Sequence, residues 1–230
     1  MSAVQRAAEA ATAAVIDYLR STDTPTAELA QATIRAVLTD HQCDSPEGLI
    51  VAGGLMSAEP HERGSGQLVP GTPIVIDIYP QSTATGWFAD MTRTVCIGEP
   101  PSELQKRYNA VAEAQRRAIA MVAPGVRCLD IQNAVEEYFL HAGYQTTGRG
   151  TEFQFAEGFV HGVGHGVGKA IHEHPHLTRQ SPDVLEVGDV ITIEPGLYYR
   201  DIGGVRLEDM LYVTETGHHN LTTFPKVLEI

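Results

Sequence analysis

The chain has 230 residues, of which 43% are hydrophobic and 20% are charged, a composition that suits one compact domain or two small fused halves. Sixteen basic residues stand against 29 acidic ones, giving a formal net charge of −13 with histidine counted as neutral. This balance argues against a nucleic-acid partner, which requires Lys and Arg to neutralise phosphates, and against electrostatic docking on a membrane. No hydrophobic run approaches the roughly 18 residues of a membrane span, and charges interrupt the Ala-rich N-terminus where a signal peptide would be continuous.

The three cysteines, Cys43, Cys96 and Cys128, are an odd number and lie far apart in the sequence. Neither a disulfide framework nor a thiolate zinc site has this spacing. We interpret them as small buried side chains in a reducing compartment, which predicts that the protein is cytoplasmic.

The predicted elements begin with two helices. Residues 2–20 are Ala-rich with scattered charges, as in a helix with one packed face. A second helix is predicted to begin with Thr24 as its N-cap and Pro25 in its first turn, and to end near Asp40. Three short apolar strands are predicted to follow, at 49–52, 74–79 and 87–97.

Helices again precede strands in the second half. Ser102 and Gln105 have the spacing of a capping box, which predicts a long helix that reaches about Val122. A further helix is predicted over 129–142, ending at Gly143. The later strands are predicted at 190–194, 197–200 and 205–214. Because no low-complexity linker interrupts the chain, we expect a single domain over residues 1–230.

An internal repeat relates the two halves. A glycine, an apolar strand and a carboxylate recur in the same order, ending at Asp77 in the first half and at Glu194 in the second. A second carboxylate follows on the next predicted strand in each half, at Asp90 and at Glu208. This repeat predicts two halves related by approximate two-fold symmetry, with the four carboxylates meeting at the axis.

Asp77 and Glu194 each lie in an apolar strand run, where a charged carboxylate is costly unless it is paired or metal-bound. A capped strand end or an arginine partner would explain either residue alone. Two such residues with matching second carboxylates favour a shared cation. An arginine lies close in sequence to each of the second carboxylates, so ordinary salt bridges remain the alternative for those.

Histidines are concentrated in one segment of the second half, at His161, His165, His172, His174 and His176. The glycines that alternate through residues 161–168 exclude a stable helix and therefore a helical H-E-x-x-H zinc site. Because glycine allows close backbone approach and fixes the imidazole direction, a metal ligand is favoured at His165. His174 and His176 are interpreted as solvated surface residues.

Four carboxylates and one imidazole form a donor set with a clear metal preference. Hard oxygen ligands with one nitrogen suit Mn, Co or Fe, with Zn as a further option. Four carboxylates around one divalent ion would leave excess negative charge, so two ions that share bridging carboxylates are expected. Two ions about 3.5–4 Å apart would hold a bridging water, lower its pKa and stabilise both oxygens of a hydrolytic transition state.

Five separated blocks contain these residues. They are Asp77, Asp90-Met-Thr-Arg93-Thr, His161-Gly-Val-Gly-His165-Gly-Val-Gly, Ile193-Glu194-Pro195-Gly196 and Val205-Arg206-Leu207-Glu208-Asp209. In this order, and across nearly the whole chain, the set resembles the pita-bread metallopeptidases, the group of methionine aminopeptidase, aminopeptidase P and prolidase. The resemblance implies an α+β fold of two pseudo-two-fold-related halves around a central antiparallel sheet. It also implies a dinuclear metal site with the ligands Asp77, Asp90, His165, Glu194 and Glu208, of which Asp90 and Glu208 bridge the ions.

The resemblance assigns further roles to individual side chains. Glu194 would also be the general base that takes a proton from the bridging water. His172 matches a family histidine that contacts the scissile peptide and stabilises the tetrahedral intermediate, and His61, in a polar loop, aligns with one that lines the substrate pocket. Arg206 is expected to orient a ligand carboxylate through a charge-assisted bond.

His161 distinguishes between branches of this group. A histidine four positions before the metal-binding one is typical of aminopeptidase P and prolidase, and it indicates a substrate-binding and catalytic role toward peptides with proline in second place. The resemblance therefore implies a metal-dependent exopeptidase that acts on the N-terminal bond of Xaa-Pro peptides, with a homodimer as the expected assembly. A methionine aminopeptidase-like activity and a non-catalytic pita-bread binding protein are the alternatives, although the latter usually lose ligands. An enzyme of the creatinase branch, which acts on a small amidino compound, does not keep the full metal set.

Two features depart from the usual family pattern. The spacing from Asp77 to Asp90 is longer than is usual, which predicts an enlarged turn between the two strands. We also expect the chain to lack the separate N-terminal domain that most proline-specific members carry. Proline specificity is therefore predicted from His161 rather than from the overall domain organisation.

Overall fold

A computed structural model describes residues 1–147 and 157–230 of the chain. The first half contains α1 (Ser2–Arg20), α2 (Ala27–Asp40), β1 (Cys43–Asp44), β2 (Ile50–Gly53), β3 (Ile74–Ile78), β4 (Gln81–Ser82) and β5 (Met91–Val95). The second half contains α3 (Ser102–Met121), α4 (Cys128–His141), β6 (Gly164–Gly166), β7 (Glu173–Leu177), β8 (Val190–Ile193), β9 (Gly196–Tyr199), β10 (Gly203–Arg206), β11 (Asp209–Thr214) and β12 (Gly217–Asn220). In each half two helices precede the strands, so the predicted α+β organisation is confirmed. Among the described residues, none of the helices is long and apolar enough to cross a membrane.

The strands pair antiparallel within each half. β2, β3 and β5 form one sheet in that order, and β12, β11, β8, β6 and β7 form another. The halves meet where β5 runs beside the segment that contains β10. There the Thr94 hydroxyl donates to the Arg206 carbonyl at 2.9 Å, and the Glu208 amide donates to the Thr92 carbonyl at 3.0 Å. This junction brings the second carboxylate of each half together.

Strand alternation decides which way each carboxylate of the repeat points. The isoleucines of β3 belong to the core beneath α1 and α2, and because side chains alternate along a strand, Asp77 lies on the opposite face. In the second half Ile191 and Ile193 belong to a separate core beneath α3 and α4. Glu194 follows directly after β8 and lies on the face away from that core. Each half thus buries an apolar face under its own helices and turns its carboxylates toward the other half.

The start of two helices differs from the prediction. Thr26 rather than Thr24 is the N-cap of α2, and its hydroxyl accepts a hydrogen bond from the Leu29 amide at 3.3 Å. The capping box predicted at Ser102 is also wrong, because Pro101 occupies the N-cap and no side-chain capping bond forms. Proline has a fixed φ and starts the helix one residue earlier, so Ser102 already lies inside α3.

Two predicted strands are shorter than expected. The strand predicted over 87–97 begins only at Met91, since the Ala89 amide donates its hydrogen bond to the Pro80 carbonyl in the preceding turn. The strand predicted over 205–214 is two strands, β10 and β11, separated by Leu207 and Glu208. Both interruptions place a carboxylate, Asp90 or Glu208, at a strand end rather than inside a ladder.

Candidate metal centre

Asp90, His165 and Glu208 form a buried cluster where the two halves meet. Each offers one ligand atom, and these atoms all lie within 4.8 Å of one another, the one such group found in residues 1–147 and 157–230. The exposed fractions are 4%, 8% and 2% respectively. A cluster of this size matches the coordination sphere of a single ion, and burial keeps competing water away from it.

The other two predicted ligands adjoin this cluster. Glu194 Oε1 lies 3.3 Å from Nε2 of His165, and the same nitrogen lies 3.6 Å from Oδ2 of Asp90. Asp77 lies opposite Thr92 in the ladder between β3 and β5, and the Thr92 hydroxyl donates to Oε2 of Glu208 at 2.7 Å. All five residues predicted from the sequence are therefore brought together.

Two carboxylate oxygens of this group lack partners. Oδ1 of Asp77 and Oδ1 of Asp90 are buried and accept no hydrogen bond from the described part of the chain. Buried polar atoms are nearly always satisfied, because leaving one unpaired loses its hydration without compensation. Several carboxylate oxygens and one imidazole nitrogen are the ligands that a divalent cation such as Mn²⁺ accepts. The residues present therefore fit a divalent metal site.

The protonation of the cluster reflects burial first and mutual repulsion second. Burial raises the pKa of Asp90 and of Glu208 well above the ordinary range, and neighbouring carboxylates raise both further. Burial likewise raises the pKa of Glu194 to about 8, although Arg206 opposes the shift. Burial lowers the pKa of His165 to about 3, so its imidazole is neutral, the form that binds metals.

Arg206 orients two of the carboxylates. Its Nη2 donates to Oδ2 of Asp77 at 2.7 Å, and its Nε donates to the Thr92 hydroxyl at 3.2 Å. That hydroxyl in turn donates to Oε2 of Glu208 at 2.7 Å. A charge-assisted bond on one oxygen of Asp77 leaves the other oxygen directed elsewhere.

The salt bridges weighed as an alternative for Asp90 and Glu208 do not form in the structure. Arg93, adjacent to Asp90 in sequence, pairs with Asp209 at 3.0 Å and donates to the Glu208 carbonyl at 2.6 Å. Arg206 pairs with Asp77 rather than with the neighbouring Glu208. Both arginines reach across the junction between halves, a contact that sequence proximity does not reveal.

Three further histidines surround the cluster. The His172 ring lies 4.4 Å from the His165 ring, centroid to centroid, and is exposed on its other side. His61 is exposed in the loop that follows the short 3-10 helix Gly54–Ala58. The carbonyl of the preceding Pro60 accepts a hydrogen bond from Arg206 Nη1 at 3.3 Å, so this loop lies beside the site. His174 is exposed, as predicted, and contacts Asp183, whereas the predicted surface residue His176 is partly buried.

The His161 ring is engaged at both nitrogens. Its Nδ1 lies 2.7 Å from the Gly162 carbonyl oxygen and its Nε2 lies 2.9 Å from the Tyr198 hydroxyl. The same hydroxyl accepts from Arg206 Nη1 at 2.7 Å. Sequence reasoning missed Tyr198, as it missed Thr92. The signal available for Tyr198 is a tyrosine within an apolar strand four residues after Glu194, since a buried tyrosine hydroxyl requires a partner.

Gly164 allows β6 to lie against β8 next to His165. A Cβ at this position would meet the carbonyl oxygen of Thr192, which is backbone and cannot rotate away, whereas a Cβ at Gly162 would meet the Thr178 methyl group at 2.8 Å. We therefore expect Gly164→Ala to lower the free energy of unfolding by about 2–3 kcal/mol and the control Gly162→Ala by about 1 kcal/mol. Urea unfolding of both variants measures this, and equal losses would contradict the close approach.

Comparison with known proteins identifies the family of this chain. The model of metallopeptidase family M24 matches residues 1–215. The chain belongs to metallopeptidase family M24. Family M24 implies divalent metal ions, in agreement with the donor set of the Asp90, His165 and Glu208 cluster.

Relatives and solved structures in family M24 agree with this assignment. An Xaa-Pro dipeptidase of Pyrococcus furiosus is 34% identical over 174 residues, which are 75% of this chain and 46% of the relative. The prolidase of Pyrococcus horikoshii has a TM-score of 0.89 and 30% identity, covering 99% of this chain and 62% of that one. The X-Pro aminopeptidase of Thermotoga maritima has a TM-score of 0.84 and 29% identity, covering 99% and 62%. The chain thus has the pita-bread fold and spans about half the length of the curated relatives it matches.

Proposed function

We propose that the chain is a metal-dependent exopeptidase that hydrolyses the N-terminal peptide bond of Xaa-Pro peptides. The observation that carries the proposal is the buried cluster of Asp90, His165 and Glu208, with Glu194 and His172 directly beside it. Relatives named Xaa-Pro dipeptidase and prolidase support the substrate class. We propose that the described chain acts as one catalytic domain, as a homodimer in the cytoplasm. Its three free, buried cysteines suit a reducing compartment.

Five residues would hold the metal. The ligands would be Asp77, Asp90, His165, Glu194 and Glu208, which together would bind two divalent ions. Mn²⁺ is the preferred ion, with Co²⁺, Fe²⁺ or Zn²⁺ as further options for this donor set. Bound ions of this kind polarise the scissile carbonyl and lower the pKa of a bound water, so that a nucleophile is available near neutral pH.

Glu194 would move the proton. Its side chain is 18% exposed, against 5% for Asp90 and 12% for Asp77, so it is the more accessible carboxylate of these three. One carboxylate oxygen would accept a proton from the attacking water and return it to the nitrogen of the leaving amine. In the metal-free chain burial raises the pKa of Glu194 to about 8, and bound cations would lower it, so that the carboxylate is ionised and can accept the proton.

The histidines on the open side of the cluster would bind the peptide. His172 is exposed to solvent, although partial desolvation lowers its pKa. It would donate a hydrogen bond to the oxygen on which negative charge develops in the transition state. His61, exposed in the loop after Ala58, would line the pocket of the residue that follows the cleaved bond.

The proposal is tested by digesting a peptide panel with Mn²⁺-reconstituted protein. We expect release of the first residue from Xaa-Pro dipeptides and from Xaa-Pro tripeptides, and far slower release from matched Xaa-Ala peptides, with products measured by mass spectrometry. Cleavage confined to Met-Xaa peptides would instead indicate a methionine aminopeptidase-like activity. Protein that folds but binds no metal and cleaves nothing would indicate a non-catalytic binding module and overturn the proposal.

A further inference from the structure

A continuous chain of hydrogen bonds connects His161 to the carboxylate of Asp77. His161 Nε2 lies 2.9 Å from the Tyr198 hydroxyl, which lies 2.7 Å from Arg206 Nη1. Arg206 Nη2 lies 2.7 Å from Oδ2 of Asp77. The side chains of Arg206 and Asp77 are 4% and 12% exposed, so water competes little with these bonds.

The chemistry of each group fixes the direction of every bond. The Gly162 carbonyl 2.7 Å from His161 Nδ1 can only accept, so Nδ1 carries the hydrogen. Burial lowers the pKa of His161 to about 3, so the ring is neutral and Nε2 is an acceptor. Because a guanidinium can only donate, the Tyr198 oxygen accepts from Arg206 and its own hydrogen goes to His161 Nε2. A single arrangement of hydrogen atoms therefore satisfies every hydrogen bond from His161 to Asp77.

We propose that Tyr198 and His161 are positioning residues that hold Arg206 against Asp77. Arg206 occupies Oδ2 of Asp77, while Oδ1 is buried and accepts no hydrogen bond from the described residues. Holding the guanidinium in place therefore turns Oδ1 of Asp77 toward the metal centre. The inference rests on the assignment of Asp77 as a metal ligand in the proposed function.

The residues around this series of hydrogen bonds have little freedom to rearrange. Without the Tyr198 hydroxyl, Nη1 of Arg206 keeps, among residues 1–147 and 157–230, only the Pro60 carbonyl at 3.3 Å as a hydrogen-bond partner. A Cβ at residue 196 would meet the Tyr198 hydroxyl, so Gly196 leaves the space that the tyrosine occupies. The Phe159 ring packs edge-on against the His161 ring at 5.3 Å between centroids. These contacts favour one position for the tyrosine and one for the imidazole.

The same arrangement bears on the substrate role that the family resemblance implies for His161. Both ring nitrogens already have partners within the protein, so neither is free to bond a peptide. His161 would instead act through Tyr198 and Arg206 on the metal ligand. Loss of either residue should then weaken metal binding rather than substrate binding alone.

The experiment measures Mn²⁺ affinity by calorimetry and the metal environment by electron paramagnetic resonance, independently of peptide hydrolysis. We expect Tyr198→Phe, which removes one oxygen, to weaken Mn²⁺ binding by about 10–100-fold. Tyr199→Phe is the matched control, because the Tyr199 hydroxyl takes no part in the hydrogen bonds between His161 and Asp77 and instead accepts one from the Gln145 amide. It should leave Mn²⁺ affinity unchanged.

Variants of His161 separate positioning from substrate contact. His161→Leu should weaken Mn²⁺ binding as Tyr198→Phe does, and His161→Gln, which keeps an acceptor for the hydroxyl, should restore most of it. A variant that combines His161→Leu with Tyr198→Phe should bind Mn²⁺ as tightly as the single variant with the lower affinity, since both residues act on one contact. Wild-type Mn²⁺ affinity in Tyr198→Phe, or a His161→Leu variant that changes only KM, would overturn the inference.

Failure of the proposed function has a different signature. Asp77→Asn with unchanged Mn²⁺ stoichiometry would remove Asp77 from the ligand set. Wild-type Mn²⁺ binding in Tyr198→Phe, combined with loss of binding in Asp77→Asn, would leave that ligand set intact and reject only the positioning role. Thermal unfolding of each variant confirms that the chain has folded before affinities are compared.

Discussion

Glu194→Gln is expected to lower kcat/KM for an Xaa-Pro peptide by at least about 1000-fold while the chain stays folded. A general base contributes about 10²–10⁴-fold on its own, and here the same carboxylate also lies in the predicted ligand set. Glutamine has nearly the same shape as glutamate but neither accepts a proton at neutral pH nor neutralises a cation. The measurement is steady-state hydrolysis at saturating Mn²⁺, with the metal content of each preparation determined alongside it.

A matched control comes from a partly exposed glutamate far from the cluster. Glu113 lies on the outer face of α3, where it bonds Arg116 and Arg117 and has no contact with the metal centre. Glu113→Gln removes the same charge and should leave hydrolysis unchanged. If Glu194→Gln instead keeps activity within about tenfold of wild type with full metal content, another group accepts the proton and the role assigned to Glu194 is wrong.

The helices and strands that the sequence predicts correctly are those with a strong local pattern. The Ala-rich N-terminal segment becomes α1 over Ser2–Arg20, and the apolar run around Asp77 becomes β3. Element ends were less predictable, because caps depend on which neighbouring residue has the required geometry. Both Thr24 and Thr26 are good N-cap residues, and only the fold selects the second.

The four clustered carboxylates could be predicted from the sequence because they occupy equivalent positions in the internal repeat. A carboxylate in an apolar strand is conspicuous in each half, and the symmetric arrangement brings the halves face to face. The partners of these carboxylates were not predictable in this way. Arg206 reaches Asp77 and Arg93 reaches Asp209, each from the other half. Contacts between distant segments have no periodic signature.

Mn²⁺ affinity is expected to rise at least about 100-fold between pH 6 and pH 8, because binding must displace protons from the carboxylates. Burial raises the pKa of Glu194 to about 8, and burial with mutual repulsion raises those of Asp90 and Glu208 as well. A site that releases one proton on binding gains about tenfold in affinity per pH unit. His165, with a pKa of about 3, is neutral throughout this range and contributes no proton.

The free energy of unfolding of the metal-free protein should fall as pH rises, whereas the Mn²⁺ affinity should increase. The folded-state pKa of Glu194, about 8, lies above its ordinary value of 4.5, so between these values the folded state binds a proton that the unfolded chain has released. The stability from this group is fully present below pH 4.5 and is lost as pH rises through 8. Metal loading removes this loss, so the gain in Tm on adding Mn²⁺ should grow from pH 6 to pH 8.

Calorimetry in two buffers of different ionisation enthalpy measures both the affinity and the number of protons released. Glu194→Gln removes one titrating group but leaves Asp90 and Glu208. The variant should therefore bind Mn²⁺ more weakly, and its Mn²⁺ affinity should change less with pH. That comparison isolates the proton on Glu194 from those on the two buried carboxylates. An affinity that is flat between pH 6 and pH 8 would mean that the carboxylates are already ionised before the metal arrives. The charge of the cluster would then have to be balanced by groups other than bound protons.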